Sequence, residues 1–313
     1  MNWFRPSLLW FLTLPLVLPA PAPAQPPPPK TAPPPKVQPP QNNADAAKVF
    51  DDALHKLEQI QTGWVAADVR QQGTLQGLSF QAEGKYLSGP DHRMHLDLQV
   101  RLADMSGRLV DICDGATMWE TMQFGSGEPV VTRKVDMKRV LATLDAPGIN
   151  SQVRTEYFLE EPFTGLVPLF QSIRRQMVFT RREEHVAWKG HDTTRLTAVW
   201  SPPATKDLPP NDPEQFVPWP RGCRLYLDSV TLWPYRLEWW GPEAGHPADT
   251  VLLQMDFLNP TIYPKQDAAP SQFANAFTFH PGPGEVPDKT EDTIAHIKAR
   301  SKELAGQKSG STP

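Results

Sequence analysis

Several common functional signatures are missing from this 313-residue sequence. No Gly-x-Ser-x-Gly motif occurs, which removes the commonest sequence sign of a hydrolase. The glycine-containing stretch 282–284 lacks the lysine and the following helix of a phosphate-binding loop. The formal net charge is only -4 and the chain has no dense block of Lys and Arg, so we expect no nucleic-acid partner.

The histidines do not indicate a metal or catalytic site. His92 and His95 are three residues apart, and on a strand this spacing places them on opposite faces. His185, His191 and Asp192 lie near a predicted turn, without the further convergent ligands that a metal site needs. We therefore predict no metal, no cofactor and no enzymatic activity. An enzyme built from scattered residues is the remote alternative, because catalytic geometry does not have to show in sequence.

The apolar run 7–18 is too short for a membrane span, which needs about 20 residues. Arg5 precedes the run and small residues follow it at 22–24, a pattern typical of a secretory signal peptide cleaved before Gln25. An uncleaved anchor is the alternative. We expect a protein exported to the periplasm or another extracytoplasmic compartment of the envelope, with no stable membrane span.

Cysteine is also scarce, with Cys113 and Cys223 as its only two instances. In an oxidising compartment the two residues are a possible disulfide. Two buried free thiols explain them equally well, since cysteine packs as a small apolar residue. Sequence alone does not supply the Cα distance that a bridge requires, so both interpretations stay open.

Proline is abundant, with 36 residues, and its distribution indicates the domain organisation. Prolines are concentrated in 19–40, which predicts a proline-rich disordered linker over 25–42 after the signal peptide at 1–24. A second concentration at 201–220 is interpreted as a long surface loop inserted in a folded domain at 43–287. Residues 288–313 are expected to form a C-terminal helix, weakly amphipathic and frayed, and a disordered tail.

Residue periodicity predicts a mainly β protein with a few helices. Apolar residues recur every three or four positions from Ala47 to Ile60, which predicts a leading helix capped by Asn43. The period then changes to two, as in Leu96, Leu98 and the residues around them. We expect about ten or eleven antiparallel strands, which curl into a barrel or split into two layers. Among them are strands near 107–113, 116–124, 128–134, 184–190 and 193–200, and a short last one at Phe277 and Phe279.

Two short amphipathic helices interrupt the strands, near 137–144 and 166–177. Each must cover an apolar surface, and the concave face of a curved sheet is the natural place. The predicted lid residues are Met137, Val140, Leu141, Leu144, Leu166, Phe170 and Ile173.

The apolar sides of the strands supply the candidate ligand site. Methionine suits a site that accepts acyl chains of varied shape, because its side chain is flexible and polarisable. An ordinary buried core explains the same residues. The candidates for the cavity lining are Phe80, Tyr86, Leu96, Leu98, Met118, Met122, Phe124, Leu237, Trp239, Leu253, Met255 and Phe257.

Three stretches resemble motifs of the periplasmic lipoprotein carriers with the LolA-like fold. Residues 112–119 resemble that family's hairpin, in which an Asp-Gly turn precedes an aromatic strand, and residues 227–238 are similar to one of its strand pairs. Residues 276–284 resemble its aromatic and proline-containing ending. One motif departs from the family, since Gly89 stands where its turn has the arginine that helps to hold the lid.

The resemblance implies a curved antiparallel sheet that forms an incomplete, half-open β-barrel with a helical lid. It implies that the cavity holds acyl chains and that no cofactor or chemistry is involved. We therefore expect a carrier or binding protein whose partner is a lipid or a lipidated protein. Relatives of this fold also act as receptors and stress sensors in the envelope, so a non-carrier module that binds an envelope protein is the alternative.

Overall fold

The structure is a computed structural model that describes most of the chain from Pro40 onward. The predicted signal peptide, nearly all of the predicted linker and most of the 201–220 loop lie outside the described residues. The described residues are 40–75, 78–125, 129–150, 153, 157, 165–202, 220–242, 248–265, 270–282 and 284–309.

The leading helix, α1 (Ala44–Ile60), is confirmed with the predicted cap. The Asn43 side chain accepts a hydrogen bond from the backbone N–H of Ala46, 3.0 Å away, and satisfies a donor that the helix itself leaves unpaired. One side of α1 is buried, including Phe50 and Leu57, as the three- and four-residue spacing predicts.

Eleven strands form one antiparallel sheet, which confirms the predicted fold class. The sheet is open, so it has the shape of a half-open barrel, and helices lie over one of its faces. The first six strands are β1 (Trp64–Leu75), β2 (Leu78–Gly89), β3 (Arg93–Leu102), β4 (Met105–Asp114), β5 (Thr117–Phe124) and β6 (Val131–Asp136). The other five are β7 (Met177–Trp188), β8 (His191–Trp200), β9 (Gly222–Asp228), β10 (Pro234–Gly241) and β11 (Thr250–Tyr263).

The strand order explains how helices come to cover the sheet. The order is β6-β5-β4-β3-β2-β1-β11-β10-β9-β8-β7, so two meanders are joined by the pairing of β1 with β11. The strands at the two edges, β6 and β7, are consecutive in the chain. The connection between them therefore passes from one edge to the other, and it contains α2 (Met137–Leu144) and α3 (Leu166–Gln176). Both helices were predicted.

Strand β7 begins earlier than the sequence pattern predicts, at Met177 instead of 184. The prediction was wrong because Met177 continues the apolar spacing of α3. Its backbone is nevertheless already extended, with φ -117° and ψ 153°, so the chain passes from helix to strand without a loop.

The predicted short strand at Phe277 and Phe279 is not formed. A 3₁₀ turn at Ser271–Phe273 is followed by irregular backbone that crosses the outer face of the sheet. We call residues 270–282 and 284–288 the C-terminal strap. Phe277 packs on Trp64 of β1, and Phe279 stacks on Trp119 of β5 with 5.4 Å between ring centroids. Aromatic rings thus hold the first part of the strap, around Phe277 and Phe279, on the outer face.

The strap leads to α4 (Thr290–Ser309), which is a packed element and not a frayed end. At the sheet edge the N–H of Lys134 donates to the carbonyl of Pro287, and the N–H of Lys289 donates to the carbonyl of Lys134. Ile294 and Ile297 of α4 are buried in the main core. Within the described part of the chain, no helix is both long enough and apolar enough to cross a membrane.

Candidate functional site: the inner face of the sheet

Helices α1 and α3 identify the inner face of the sheet. The ring of Phe50 on α1 lies 4.4 Å from the ring of Phe179 on β7, measured between centroids. At the start of α3, the backbone N–H of Leu166 donates a hydrogen bond to the hydroxyl of Tyr86 on β2, 3.4 Å away. Residues that face the same way as Tyr86 and Phe179 therefore face the helices.

The strand register places the cavity candidates on this inner face. Tyr86 pairs with Leu96, and Met255 pairs with Leu237, and directly opposite residues of antiparallel strands share a face. The buried candidates are Phe80, Tyr86, Leu96, Leu98, Met118, Leu237, Met255 and Phe257. The half-buried candidates are Met122, Phe124, Trp239 and Leu253.

The half-buried candidates lie toward one margin of the inner face. Phe124 is opposite Gly107 of β4, and Leu253 is opposite Trp239 near the ends of β10 and β11. Two inward positions close to them, Met105 and Val131, are 38% and 56% exposed. We call these six residues the apolar rim. The rim is a place where a ligand could reach the inner face without first displacing a buried side chain.

The predicted lid residues are packed against the core. Phe170 of α3 stacks on Phe50 of α1, and Tyr157 donates a hydrogen bond from its hydroxyl to the sulfur of Met137, 3.8 Å away. Only Leu141 among them is half-buried. The buried members are Met137, Val140, Leu144, Leu166, Phe170 and Ile173.

A charged cluster on the inner face was missed by the sequence reasoning. Asp111 of β4 pairs with Glu120 of β5, which pairs with Arg133 of β6. Arg133 donates to both oxygens of Glu120, with an Nε–Oε1 distance of 2.9 Å and an Nη2–Oε2 distance of 2.9 Å. Strict alternation from Leu109 would have placed Asp111 on the inner face, so the signal was present in the sequence.

Asp111 is the unusual member of this cluster. The residue is 1% exposed, and its Oδ1 atom has no hydrogen-bond partner among the described residues. Burial raises the pKa of the Asp111 carboxyl well above its usual value of 3.8, and the negative charge of Glu120 acts in the same direction while Arg133 opposes it.

A second charged cluster, on the outer face, is fully paired. Arg236 donates to Asp256, with an Nε–Oδ1 distance of 2.7 Å and an Nη2–Oδ2 distance of 3.0 Å. Lys189 lies 3.0 Å from the same carboxylate, and Arg236 also contacts Glu238 and the ring of Trp188. Opposite charges and an aromatic face satisfy one another here, so this cluster links β7, β10 and β11 on the outer face.

The remaining sequence candidates are dispersed. Cys113 and Cys223 are both free and buried, so the possible disulfide is not formed. The exposed ring of His185 lies 3.1 Å from Asp192, between Nδ1 and Oδ2, while His191 stacks on a tyrosine ring. In the described part of the chain, no three His, Cys, Asp or Glu side chains come together in a way that could hold a metal ion.

No protein-family model matches the chain. No curated protein matches it either. Solved structures that match include MucB, at 13% identity and a TM-score of 0.33, with 74% of this chain and 62% of MucB covered. LprF from Mycobacterium bovis matches at 12% identity and a TM-score of 0.36, with 72% of this chain and 98% of LprF covered.

A lipoprotein-sorting protein domain of the outer membrane, from Vibrio parahaemolyticus, is also among the matching structures. Its identity is 9% and its TM-score 0.27, with 74% of this chain and 97% of that domain covered. The class of protein that the sequence motifs resemble is therefore represented among these structures. The chain spans less than two thirds of MucB. Likenesses with TM-scores this low support no inference about function.

Proposed function

We propose that the protein is exported and binds an acyl chain of a lipid or a lipidated protein on the inner face of its sheet. It would act as a carrier or binding protein of the cell envelope, without catalysing a reaction. One observation carries this proposal: helices pack over the apolar inner face, while the rim residues Met122, Phe124, Trp239 and Leu253 are only half-buried.

The energetics favour an acyl chain as the occupant. Removing methylene groups from water contributes about 0.8 kcal/mol for each group buried. A rim that contains Met105 and Met122 can adapt to chains of different shape, since methionine is unbranched and polarisable. A flat apolar patch would remove fewer methylenes from water than a curved face does.

Helices α2 and α3 make different contacts with the rest of the fold, so one of them can move while the other stays in place. Helix α3 packs on α1 through Phe170 and Phe50 and is joined to it by an ion pair between Arg174 and Asp51. Helix α2 packs mainly on α4 and the adjoining edge of the sheet. We therefore infer that α2 is the movable part of the lid and that α3 belongs to the fixed wall.

The proposal is tested with neutral ligands. Purified protein is examined by native mass spectrometry for bound lipid, and 1-dodecanol is then titrated against a neutral fluorescent dye bound to the protein. The double variant Met122→Gln, Phe124→Gln should bind dodecanol at least about tenfold more weakly, because two apolar wall contacts are lost.

The matched control is Val230→Gln. Val230 is 81% exposed in the turn between β9 and β10, so it is apolar and accessible but lies outside the rim. Its variant should bind dodecanol as the wild type does. Absence of both copurified lipid and dye uptake in a folded sample would refute the acyl-binding function.

A protein-binding module on the same fold is the second candidate. Val130 and Val131, at the start of edge strand β6, are 54% and 56% exposed and would suit an added peptide strand. This function predicts peptide binding by folded protein that carries no copurified lipid and takes up no dodecanol.

A further inference from the structure

Among the described residues, the charged cluster formed by Asp111, Glu120 and Arg133 on the inner face contains more acidic than basic groups. Arg133 occupies both oxygens of Glu120, so its guanidinium is already committed to that carboxylate. The neighbouring carboxyl of Asp111 is buried, and its Oδ1 has no partner among the described residues. Buried carboxyls are normally paired or hydrogen-bonded, so this position calls for a further donor.

The cluster lies where the apolar inner face meets solvent. The side chains of Glu120 and Arg133 are 17% and 20% exposed, because β6 is an edge strand. One step along the strands the inward residues are apolar: Leu109 and Met122 on one side, and Met118 on the other. A ligand head at Asp111 would therefore have an apolar surface beside it for its chain.

The geometry points to a second feature of the binding site: Asp111 and Glu120 bind the protonated primary amine of an amphiphile whose chain lies on the inner face. An ammonium group has three donors, so one can reach Asp111 while another reaches Glu120. Its positive charge also favours ionisation of Asp111, whose proton is released to solvent, and together with the Arg133 guanidinium it balances the two carboxylates. This inference rests on the proposed acyl-chain function.

Other ligand heads fit the cluster less well. A carboxylate or phosphate head would stand beside two carboxyl groups and meet a guanidinium that is already bound to one of them. A hydroxyl head can donate one hydrogen bond to Asp111 but brings no charge. The expected order of affinity is therefore amine, then alcohol, then acid.

The test compares three ligands with the same chain. Dodecylamine, 1-dodecanol and dodecanoic acid are titrated at pH 7 against a neutral dye on the full-length protein. Dodecylamine should bind about tenfold more tightly than dodecanol, as expected for one charge-assisted hydrogen bond. Dodecanoic acid should bind more weakly than either.

Two variants test whether the preference for the amine depends on Asp111 and Glu120. Asp111→Asn keeps the shape of the side chain and removes the carboxylate, so it should abolish the preference for the amine and keep dodecanol binding. If Asp111→Asn does not fold, Glu120→Gln is an independent test and should reduce the preference for the amine. Asp104→Asn, in the exposed turn between β3 and β4, is the control and should keep the wild-type order.

The outcomes distinguish the amine site from the acyl-binding function. An amine preference that disappears in Asp111→Asn or is reduced in Glu120→Gln supports it. Tight dodecanol binding by wild type with no amine preference overturns the amine site and leaves the acyl-binding function standing. Failure of all three ligands to bind overturns both.

Discussion

The rings of Phe50 on α1 and Phe170 on α3 stack with 5.1 Å between their centroids and 9° between their planes. Phe50 also contacts Phe179 of β7, so a single side chain joins two helices to an edge strand. Helix α1 is distant in the chain from α3 and β7, which follow each other without a loop. Their contact closes the inner face on the side of the second meander.

Replacing Phe50 should therefore be costly. Phe50→Ala removes a fully buried ring that touches two others, and the free energy of unfolding should fall by about 3–5 kcal/mol. Urea unfolding followed by tryptophan fluorescence measures the change. The exposed His55 on the same helix is the control, since His55→Ala should change stability by no more than about 0.5 kcal/mol. Similar losses of unfolding free energy in Phe50→Ala and His55→Ala would contradict the central role of the Phe50–Phe170 stack.

The succession of elements along the chain, including helices α1, α2 and α3, could be predicted from sequence because their patterns are local. The pattern of apolar residues depends on which face of each element is buried. It gives the alternation at Leu96 and Leu98 in a strand and the three- or four-residue spacing in α1. The strap was misjudged because Phe277 and Phe279 are spaced two apart, as in a strand, although their partners are Trp64 and Trp119 on the outer face. That docking is a tertiary contact that residue spacing does not encode.

The candidate site was predictable in its apolar part only. A search for apolar inward positions found the buried candidates and four of the six rim residues, since burial follows the two-residue period, but it did not find Met105 and Val131. It passed over Asp111, because a carboxyl at an inward position is read as outward when polarity alone assigns the face. The pairing of Asp111 with Glu120 and Arg133 depends on the register of three strands.

Helix α4 should control the mobility of α2. Arg139 of α2 forms an ion pair with Glu291, and the side chain of Thr290 accepts a hydrogen bond from the N–H of Asp136, where α2 begins. The predicted lid behaviour is that amides of α2 exchange faster than those of the central strands. Ile297→Ala, which empties a buried position on α4, should accelerate α2 exchange by about tenfold or more.

Hydrogen exchange with mass spectrometry measures this effect, and Lys298→Ala is its control because Lys298 is exposed on the same helix. The exchange of central strands such as β1 and β2 should be unchanged in both variants. If Ile297→Ala accelerated exchange uniformly through the sheet, α4 would stabilise the whole domain and not the lid.

Both cysteines should be unreactive in the folded protein. Burial raises the pKa of the Cys113 and Cys223 thiols, and the thiolate is the reactive form. A thiol reagent such as dithionitrobenzoate should label neither residue under native conditions and both in urea without a reductant. Rapid native labelling of one cysteine would show that its strand opens locally, and labelling of neither in urea would show a disulfide.

Asp111 should make the stability of the protein depend on pH in a direction that is unusual for a carboxylate. Its folded-state pKa is raised above the usual 3.8 by burial and by Glu120, so the folded state holds this proton more tightly than the unfolded state does. The resulting stability is fully present below pH 3.8 and is lost as the pH rises through the folded-state pKa.

Asp111→Asn removes this loss, because the amide does not ionise. Relative to wild type, the variant should therefore gain stability as the pH rises above 3.8, by up to about 1.4 kcal/mol per pH unit, until the folded-state pKa is passed. Urea unfolding of both proteins from pH 4 to pH 9 measures the difference, and Asp104→Asn should show no such trend. A difference between Asp111→Asn and wild type that stays constant across this range would mean that the Asp111 pKa is not raised in the folded protein.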